Sequence, residues 1–393
     1  MSTSPGPTSP SVAPLALMMS GGGARAAYQV GVLRALARRW PDFQPQIITG
    51  VSAGAINAAS LAGYAGPFVD ALDDLGRLWG GLTTEQVFRT DSSSLLQIGY
   101  RWAKRLLSGG EAGRRARGFV DTAPLRDLLS RHLDPKGDGI EGVEANIGAG
   151  RLHAFGITAT NYATGRSVTW VQGKDVQSWD FPKRHSVHAR VGVEHVMASA
   201  ALPLIFPAVP VGADWYGDGG IRLTAPLSPA LHLGARRILA VSTRYARTAV
   251  EAEDRAVTGY PPPAQILGVL MNAIFLDLLD QDATTLRRIS RLSGSLAPDQ
   301  RDGLRPVRLL VIRPSQDLGR LAGDYEPELP PAFRFLMRGL GTRQTRSPDW
   351  LSMLLFEPDY IRHLMEIGEH DAEARIDEIG ALLSATELQS DED

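Results

Sequence analysis

The stretch Gly50-Val51-Ser52-Ala53-Gly54 is the most informative part of this 393-residue sequence. A β-branched run, Ile47-Ile48-Thr49, precedes it, and an alanine-rich run over residues 55–62 follows it. This order predicts a strand, a tight turn and a helix, because the two glycines let the backbone bend without a Cβ clash. The N-terminus of the helix favours negative charge near Ser52, so the Ser52 hydroxyl is a candidate nucleophile.

A second glycine-rich turn lies upstream of the serine. Leu15-Ala16-Leu17-Met18-Met19 predicts a short buried strand, Gly21-Gly22-Gly23 follows it, and a helix is expected over about residues 26–39. Successive glycines at a helix N-terminus expose backbone N–H groups that can hold a phosphate or a catalytic oxyanion. A dinucleotide site would also need an acidic residue ending the second strand, where this sequence has Thr49. The two neighbouring turns therefore favour acyl transfer.

A third motif, Tyr216-Gly217-Asp218-Gly219-Gly220, carries an aspartate at a predicted tight turn. Taken alone, an ordinary turn and a functional site are equally good interpretations of this motif. Ser52 has no obvious histidine partner, so Asp218 becomes a candidate base. Neither the histidines nor the carboxylates show the spacing of zinc or calcium ligands. We therefore expect no metal site and no cofactor.

The three motifs resemble the signatures of the patatin-like phospholipases, bacterial type, and they occur in the same order. Residues 198–207 also resemble the family's segment ahead of the aspartate, so that the resemblance covers about residues 15–243. It implies a three-layer α/β/α sandwich, a Ser52–Asp218 dyad without a catalytic histidine, and calcium-independent hydrolysis of lipid acyl esters. Two departures are Ala26, where many relatives have glycine, and Ser20, where plant members tend to have aspartate.

We expect the other site residues to lie in the two glycine turns and around the serine and the aspartate. The N–H groups of Gly21, Gly22 and Gly23 are predicted to stabilise the oxyanion, with Gly22 and Gly23 as the principal donors. Arg25 is expected to fix that turn or to stabilise the developing charge. The glycines that support the serine elbow and the aspartate turn are Gly50, Gly54, Gly219 and Gly220.

Composition and alternation of predicted elements indicate an α/β enzyme with a helical C-terminal extension. The net charge of −2 gives no reason to expect nucleic acid, and the absence of cysteine excludes disulfides. The predicted organisation is a disordered tail over 1–14, a catalytic domain over 15–315, a helical extension over 316–385 and an acidic tail over 386–393. No secretory signal and no run of 18 apolar residues is found, which predicts a cytoplasmic protein.

A basic amphipathic pattern over residues 95–107 allows two interpretations. Its apolar residues recur at near-helical spacing beside Arg101, Lys104 and Arg105. Such a helix either packs on the domain or forms a lid that makes peripheral contact with an anionic membrane surface. The lipid head group, the acyl-chain length and the oligomeric state are left open by the sequence.

The same motifs allow three functions other than that of a Ser-Asp esterase. An α/β-hydrolase with a Ser-His-Asp triad usually places several strands before its serine elbow, whereas Ser52 follows a single βα unit. A nucleotide-binding module would use the glycine turn for phosphate but lacks the acidic ribose ligand. A non-catalytic lipid-binding protein would have no need of reactive residues at all three motifs.

Overall fold

A computed structural model describes residues 13–89, 118–133, 135–137, 139–253, 257, 259–275, 277–345 and 347–385. Among these residues, ten strands form a central sheet and two short strands, β3 and β4, form a separate ribbon. The strands are β1 (Leu15–Met19), β2 (Ile47–Val51), β3 (Pro135–Lys136), β4 (Gly139–Ile140), β5 (Ala154–Asn161), β6 (Ser167–Gly173), β7 (Asp180–Phe181), β8 (Arg184–His188), β9 (Val209–Val211), β10 (Asp214–Asp218), β11 (Arg237–Val241) and β12 (Arg308–Ile312).

Helices lie on both faces of the central sheet. They are α1 (Ala27–Arg39), α2 (Ala53–Gly63), α3 (Phe68–Gly80), α4 (Thr84–Val87), α5 (Ala123–His132), α6 (Glu141–Gly148), α7 (Val193–Ser199), α8 (Ser228–His232), α9 (Ala249–Glu253), α10 (Pro263–Phe275), α11 (Asp277–Gly294), α12 (Leu318–Tyr325), α13 (Pro331–Gly339), α14 (Asp349–Leu354), α15 (Pro358–Ala374) and α16 (Ile376–Leu383). Two short 3₁₀ turns lie at the motifs. One, Gly23–Ala26, follows Gly21 and Gly22 in the first glycine turn of the chain, and the other, Gly219–Ile221, follows Asp218.

The topology of the sheet brings the three motifs to one edge. Strands β12, β11, β1, β2 and β5 are parallel neighbours in that order, and β6 pairs with β5 antiparallel. The carboxyl ends of β1 and β2 therefore lie side by side, where ligands bind in parallel sheets. Strand β10 pairs antiparallel with the last three residues of β5, beyond the point where β2 ends, and places Asp218 opposite Ala159. Asp218 consequently faces the end of β2.

The side chains of β1 alternate between two apolar layers, as expected for a strand covered on both faces. Leu15, Leu17 and Met19 pack with the α1 and α2 layer. Ala16 and Met18 pack with α8 and α11 on the other face. The predicted three-layer α/β/α sandwich is confirmed, and so is the helical C-terminal region.

Helix α15 completes the helical layer by lying directly on α1. A Cβ on Gly31 would overlap the carbonyl of Met365, and one on Gly368 would overlap the carbonyl of Tyr28. Tyr28 also donates a hydrogen bond to the Asp371 carboxylate at 3.1 Å. Backbone contact this close requires glycine on both helices, which fixes the C-terminal helices against the layer that follows the first glycine turn.

Local predictions met different outcomes. A turn signal over 162–165 predicts a hairpin partner for β5 over 166–171, and the apolar run over 307–312 predicts an additional strand. Both predictions are confirmed, as β6 and β12. The prolines near the end of residues 250–264 predict an irregular connection over that stretch. This prediction is wrong in part, because α9 occupies its beginning and α10 starts at Pro263. Alanine and glutamate in α9 are good helix formers, and this outweighed the proline signal downstream. The 95–107 pattern and both predicted tails, apart from residues 13 and 14, lie outside the described residues.

One helical stretch in the described part of the chain, Pro263–Gly294, is long and apolar enough by length and composition to cross a membrane. Only 24% of its most apolar 18-residue window is buried. Polar residues interrupt this stretch, so it contains no run of 18 consecutive apolar residues. Length and composition alone are weak evidence for a membrane span.

Candidate active site

The Ser52 elbow has the strained backbone that its sequence predicts. Ser52 has φ 57° and ψ −133°, a conformation that costs a residue with a side chain on the order of 1–3 kcal/mol. A Cβ on Gly50 would lie 2.5 Å from the Gly54 carbonyl oxygen, and one on Gly54 would overlap the end of β1. Both glycines are therefore required by the close contact of strand, turn and helix, which turns the Ser52 hydroxyl away from its own backbone.

The Ser52 hydroxyl donates a hydrogen bond to Asp218. Its Oγ lies 2.5 Å from Asp218 Oδ2, and the Gly220 N–H donates to the other carboxylate oxygen at 2.9 Å. The Asp218 side chain is fully buried and Ser52 is 5% exposed. Each carboxylate oxygen thus has one donor, and one of those two donors is the candidate nucleophile.

Backbone hydrogen bonds hold Asp218 in position. Its N–H donates to the Ala201 carbonyl at 2.9 Å, and the Thr160 hydroxyl donates to its carbonyl at 2.8 Å. Burial raises the pKa of Asp218 to about 7, although hydrogen bonds from Ser52 and Gly220 act in the opposite direction. An aspartate with such a pKa is a far better base near neutral pH than one in solvent, whose pKa is about 3.9.

Ser199 positions the serine elbow, and the sequence argument did not single it out. The Ser199 hydroxyl accepts the Ser52 backbone N–H at 3.0 Å and donates to the Thr158 carbonyl at 2.6 Å. It thereby satisfies a buried N–H that the strained elbow leaves without an intrahelical acceptor. The clue was present, since Ser199 belongs to the segment over 198–207 that resembles the family pattern.

The carbonyl groups of the first glycine turn point away from the pocket. The Thr243 hydroxyl donates to the Gly21 carbonyl at 2.5 Å, and the Arg25 N–H donates to the Gly22 carbonyl at 3.2 Å. Gly22 and Gly23 have φ values of 148° and 58°, which favour glycine. These conformations fix the direction in which the peptide N–H groups point.

The N–H groups of this turn are available to a substrate. No acceptor for the N–H groups of Gly22 and Gly23 occurs within the described part of the chain, and both residues line the pocket in front of Ser52. Gly21 lies so close to the serine that a Cβ there would be 2.8 Å from Ser52 Cβ. Two free donors beside a candidate nucleophile are the elements of an oxyanion hole.

Arg25 points towards α14 rather than towards the pocket. Its guanidinium forms an ion pair with Asp349 at 2.5 Å and donates to the Ser352 hydroxyl, and the Arg25 side chain is 3% exposed. Met353 lies next to these partners, and a Cβ on Gly23 would overlap the Met353 carbonyl. The ion pair therefore ties the glycine turn to the C-terminal region.

We expect Asp349→Ala to destabilise the fold by about 3–5 kcal/mol, because it leaves the buried Arg25 guanidinium without its carboxylate. Urea denaturation monitored by circular dichroism measures this change. Asp359→Ala, which removes the partner of Arg362 in an exposed i,i+3 pair, is the control and should cost less than about 1 kcal/mol. Equal stabilities of the two variants would contradict the tethering role of Arg25.

An apolar pocket opens in front of Ser52. Its walls come from α2, α3, α5 and the segment around α14, with Phe275 of α10 closing one side. The aromatic and aliphatic side chains that line it include Leu82, Leu129, Phe206, Phe275, Met353 and Phe356. Such a surface accommodates an acyl chain and offers no charged partner to a polar substrate.

No histidine hydrogen-bonds to Ser52 or Asp218, and all eight histidines lie within the described ranges. His195, the one nearest to the family segment, accepts the Gly192 N–H through Nδ1 and packs edge-on against Trp170. Burial lowers the pKa of His195 to about 4. These contacts give His195 a packing role. No cluster of three or more metal-ligating side chains is found among the described residues.

The family model named Patatin-like phospholipase matches residues 17–231, more than half of the chain. The chain belongs to the patatin-like phospholipase family. The match begins in β1 and extends into α8, so it includes all three motifs and the segment that carries Ser199. A search of curated protein sequences finds no significant match.

Solved structures with related folds are distant in sequence. Human GIVD cytosolic phospholipase A2 in complex with methyl γ-linolenyl fluorophosphonate is 14% identical, with a TM-score of 0.43 over 95% of this chain and 59% of that one. VipD from Legionella pneumophila is 13% identical, with a TM-score of 0.35 over 91% and 67%. ExoU in its complex with SpcU from Pseudomonas aeruginosa is 14% identical, with a TM-score of 0.27 over 94% and 77%. This patatin-like chain spans about three fifths of the human enzyme.

The predicted site residues fall into two groups by position. Ser52, Asp218, Gly219, Gly220 and the first glycine turn meet at one end of the apolar pocket, with Gly50 and Gly54 behind the serine. Arg25 lies at the back of the glycine turn with its charge directed away. Four residues that support the site are not predicted by the sequence motifs: Ser199, Thr243, Asp349 and Met353. Apart from Ser199, none carries a local sequence signal for its contact, since each lies more than 200 residues from its partner.

Proposed function

We propose that the protein is a serine acyl-ester hydrolase of the phospholipase A, lipase or esterase type, acting on lipid substrates. The observation that carries this proposal is the 2.5 Å hydrogen bond from Ser52 to the fully buried Asp218 carboxylate at one end of an apolar pocket. Family membership supports the lipid substrate class. The reaction belongs to the carboxylic ester hydrolases and proceeds through an acyl-Ser52 intermediate.

In the acylation step, Asp218 Oδ2 accepts the Ser52 proton as Ser52 Oγ attacks the ester carbonyl carbon. The carbonyl oxygen becomes an oxyanion that accepts hydrogen bonds from the N–H groups of Gly22 and Gly23. Each such donor contributes roughly 3–4 kcal/mol to stabilising the transition state. When the tetrahedral intermediate collapses, Asp218 returns the proton to the leaving alcohol and the acyl group stays on Ser52.

In the deacylation step, Asp218 accepts a proton from water as the water oxygen attacks the acyl-serine carbonyl. The same glycine N–H groups stabilise the second oxyanion, and Ser52 leaves with the proton that Asp218 returns. Ser199 and Arg25 take no part in proton transfer. Ser199 holds the elbow through the Ser52 N–H, and Arg25 holds the glycine turn from behind.

The proposal is tested by fatty-acid release from phosphatidylcholine micelles and by hydrolysis of p-nitrophenyl butyrate, both in buffer with excess EDTA. We expect turnover of at least one substrate with the chelator present, since neither step uses a metal ion. A protein that binds lipid yet hydrolyses neither ester would be a non-catalytic lipid-binding member. Activity lost in EDTA and restored by calcium would contradict the mechanism.

The raised pKa of Asp218 predicts a pH dependence of the reaction. Only the carboxylate form accepts the Ser52 proton, so kcat/KM for a neutral soluble ester should rise with pH and level off above about pH 7. Initial rates of p-nitrophenyl butyrate hydrolysis between pH 5 and pH 9, corrected for spontaneous hydrolysis, measure this profile. A rate that is constant down to pH 5 would mean that the base has an ordinary aspartate pKa.

A further inference from the structure

Helix α10 has the reverse of the polarity expected for a helix on a protein surface. Its 13 residues contain no charged side chain. The side chains of Gln265 and Asn272 are directed towards the protein, where Gln265 accepts from the Thr345 hydroxyl and Asn272 donates to Asp349 at 2.8 Å. A surface helix ordinarily directs its polar residues to solvent and its apolar residues to the core.

The exposed face of α10 is apolar instead. Ile266, Val269 and Leu270 are 43%, 58% and 49% exposed, and their spacing of three and four residues places them on one face. Ala264, Gly268 and Met271 form the buried face. These exposed side chains cannot form hydrogen bonds with water, so the face suits an apolar medium.

The neighbouring helix α13 adds further exposed apolar side chains. Its Phe335 is 81% exposed and Leu336 is 45% exposed. The end of α13 lies against the beginning of α10, because the Ala264 N–H donates to the Leu340 carbonyl at 2.9 Å. Exposed apolar residues thus occur on both of two adjoining helices.

The other end of α10 lies at the candidate active site. Phe275, its last residue, lines the pocket in front of Ser52. A Cβ on Gly220 would overlap the Phe275 ring, so this ring lies directly on the turn that holds Asp218. One short helix therefore connects an exposed apolar face with the wall of the substrate pocket.

We propose that the α10 face, defined as Ile266, Val269 and Leu270, docks onto the surface of a lipid bilayer and brings the Ser52 pocket to its substrate. The proposal rests on the proposed function, because a lipid substrate is what a bilayer supplies to a pocket joined to this helix. The face contacts the bilayer without crossing it. At about 1.5 Å per residue α10 is about 20 Å long, shorter than the roughly 30 Å hydrocarbon core.

The charged residues of α11, the helix that follows α10, indicate that this region contacts the bilayer and does not cross it. The sequence of α11 contains Asp280, Arg287, Arg288 and Arg291 among other charged residues. Charged side chains are costly inside a hydrocarbon core, so α11 does not continue the apolar face of α10 across a bilayer. Arg343, 65% exposed after α13, and Arg338 both pair with the single buried carboxylate of Glu326. The cluster therefore has one more positive than negative charge, which favours anionic head groups.

The test compares two double variants that remove the same residue types. Val269→Ser/Leu270→Ser alters the docking face, whereas Val250→Ser/Leu292→Ser alters a valine and a leucine that are 79% and 66% exposed elsewhere. Sedimentation with large vesicles of phosphatidylglycerol and phosphatidylcholine measures binding, and p-nitrophenyl butyrate measures soluble turnover. We expect the first variant to bind vesicles at least about tenfold more weakly with unchanged butyrate turnover, and the second to behave as wild type.

Three results would contradict the assignment of the α10 face as the bilayer-docking surface. Unchanged vesicle binding by Val269→Ser/Leu270→Ser, or an equal loss in the control variant, would overturn the proposal. So would a wild-type dimer that this variant dissociates in light scattering, because a second copy of the chain would then cover the face. Wild-type vesicle binding without ester hydrolysis would contradict the proposed function and leave the docking surface supported.

Discussion

Ser52→Ala is expected to lower the turnover of p-nitrophenyl esters and of phospholipid by at least about 10⁴-fold. The substitution removes the oxygen proposed to form the acyl-enzyme, and residual rates of nucleophile variants come from binding and the oxyanion hole alone. Alanine has the same steric preferences as serine at φ 57°, so the elbow keeps its strain and the fold should persist. Initial rates and circular dichroism on the same samples measure the two effects.

Ser60→Ala is the matched control for this variant. Ser60 lies on α2, the helix that follows Ser52, is 8% exposed, and donates its hydroxyl hydrogen bond to the Ile56 carbonyl rather than to Asp218. It should therefore keep wild-type turnover within a few fold. Substantial activity in Ser52→Ala at an unchanged circular dichroism spectrum would remove Ser52 from the mechanism.

Asp218→Asn is expected to lower turnover by about 10²–10⁴-fold, the contribution typical of a general base. The amide preserves the shape of the side chain but cannot take up the Ser52 proton. Asp214→Asn is the control, because Asp214 lies on the same strand and accepts a hydrogen bond from Asn161 at 2.8 Å outside the site. The steady-state rate of Asp218→Asn should be at least about 10²-fold below that of Asp214→Asn. Wild-type rates in both variants would show that another group acts as the base.

The same substitution should also make the fold more stable at alkaline pH. The folded-state pKa of Asp218 is raised to about 7, so between about pH 4 and pH 7 the folded protein holds a proton that the unfolded chain has lost. Stability from this group is full at low pH and is lost as the pH rises through 7, by up to about 4 kcal/mol. The substituted amide carries no charge, so the free energy of unfolding in urea at pH 8 should be higher for Asp218→Asn than for wild type.

The sequence predicts those parts of the site that depend on local geometry. Gly50, Ser52 and Gly54 specify a strand, an elbow and a helix within a few residues, and the structure has all three. Residues 15–23 likewise specify a strand that ends in the turn Gly21–Gly23, because the signal again lies within a few neighbouring residues. Parallel pairing of β1 and β2 then brings the two turns together.

The sequence does not by itself predict which distant segments come into contact. Ser52 and Asp218 are 166 positions apart, and only their occurrence in two recognisable motifs connected them. Arg25 and Asp349 are 324 positions apart, and Asp349 belongs to no motif. Its pairing depends on the packing of α14 against the first glycine turn, which no periodicity reports.

Helix α10 shows a different limit of pattern analysis. The sequence pattern over 266–279 predicts a helix with one apolar face formed by Met271, Ile274, Phe275, Leu278 and Leu279, and Met271 is buried. A helix that is apolar almost all round does not reveal from periodicity which side faces solvent. The structure identifies the solvent side through the inward hydrogen bonds of Gln265 and Asn272 and through the exposed fractions of the apolar residues on the other face.

The most direct test of the account is the reaction of the wild-type protein with an organophosphonate ester, followed by intact-mass analysis and peptide mapping. A phosphonate group mimics the tetrahedral intermediate and becomes covalently attached to an activated serine. We predict a single adduct on the peptide that contains Ser52, much slower labelling of Asp218→Asn, and no adduct in Ser52→Ala. An adduct on a different residue, or labelling that persists in Ser52→Ala, would contradict the assignment of Ser52 and Asp218 as the catalytic dyad.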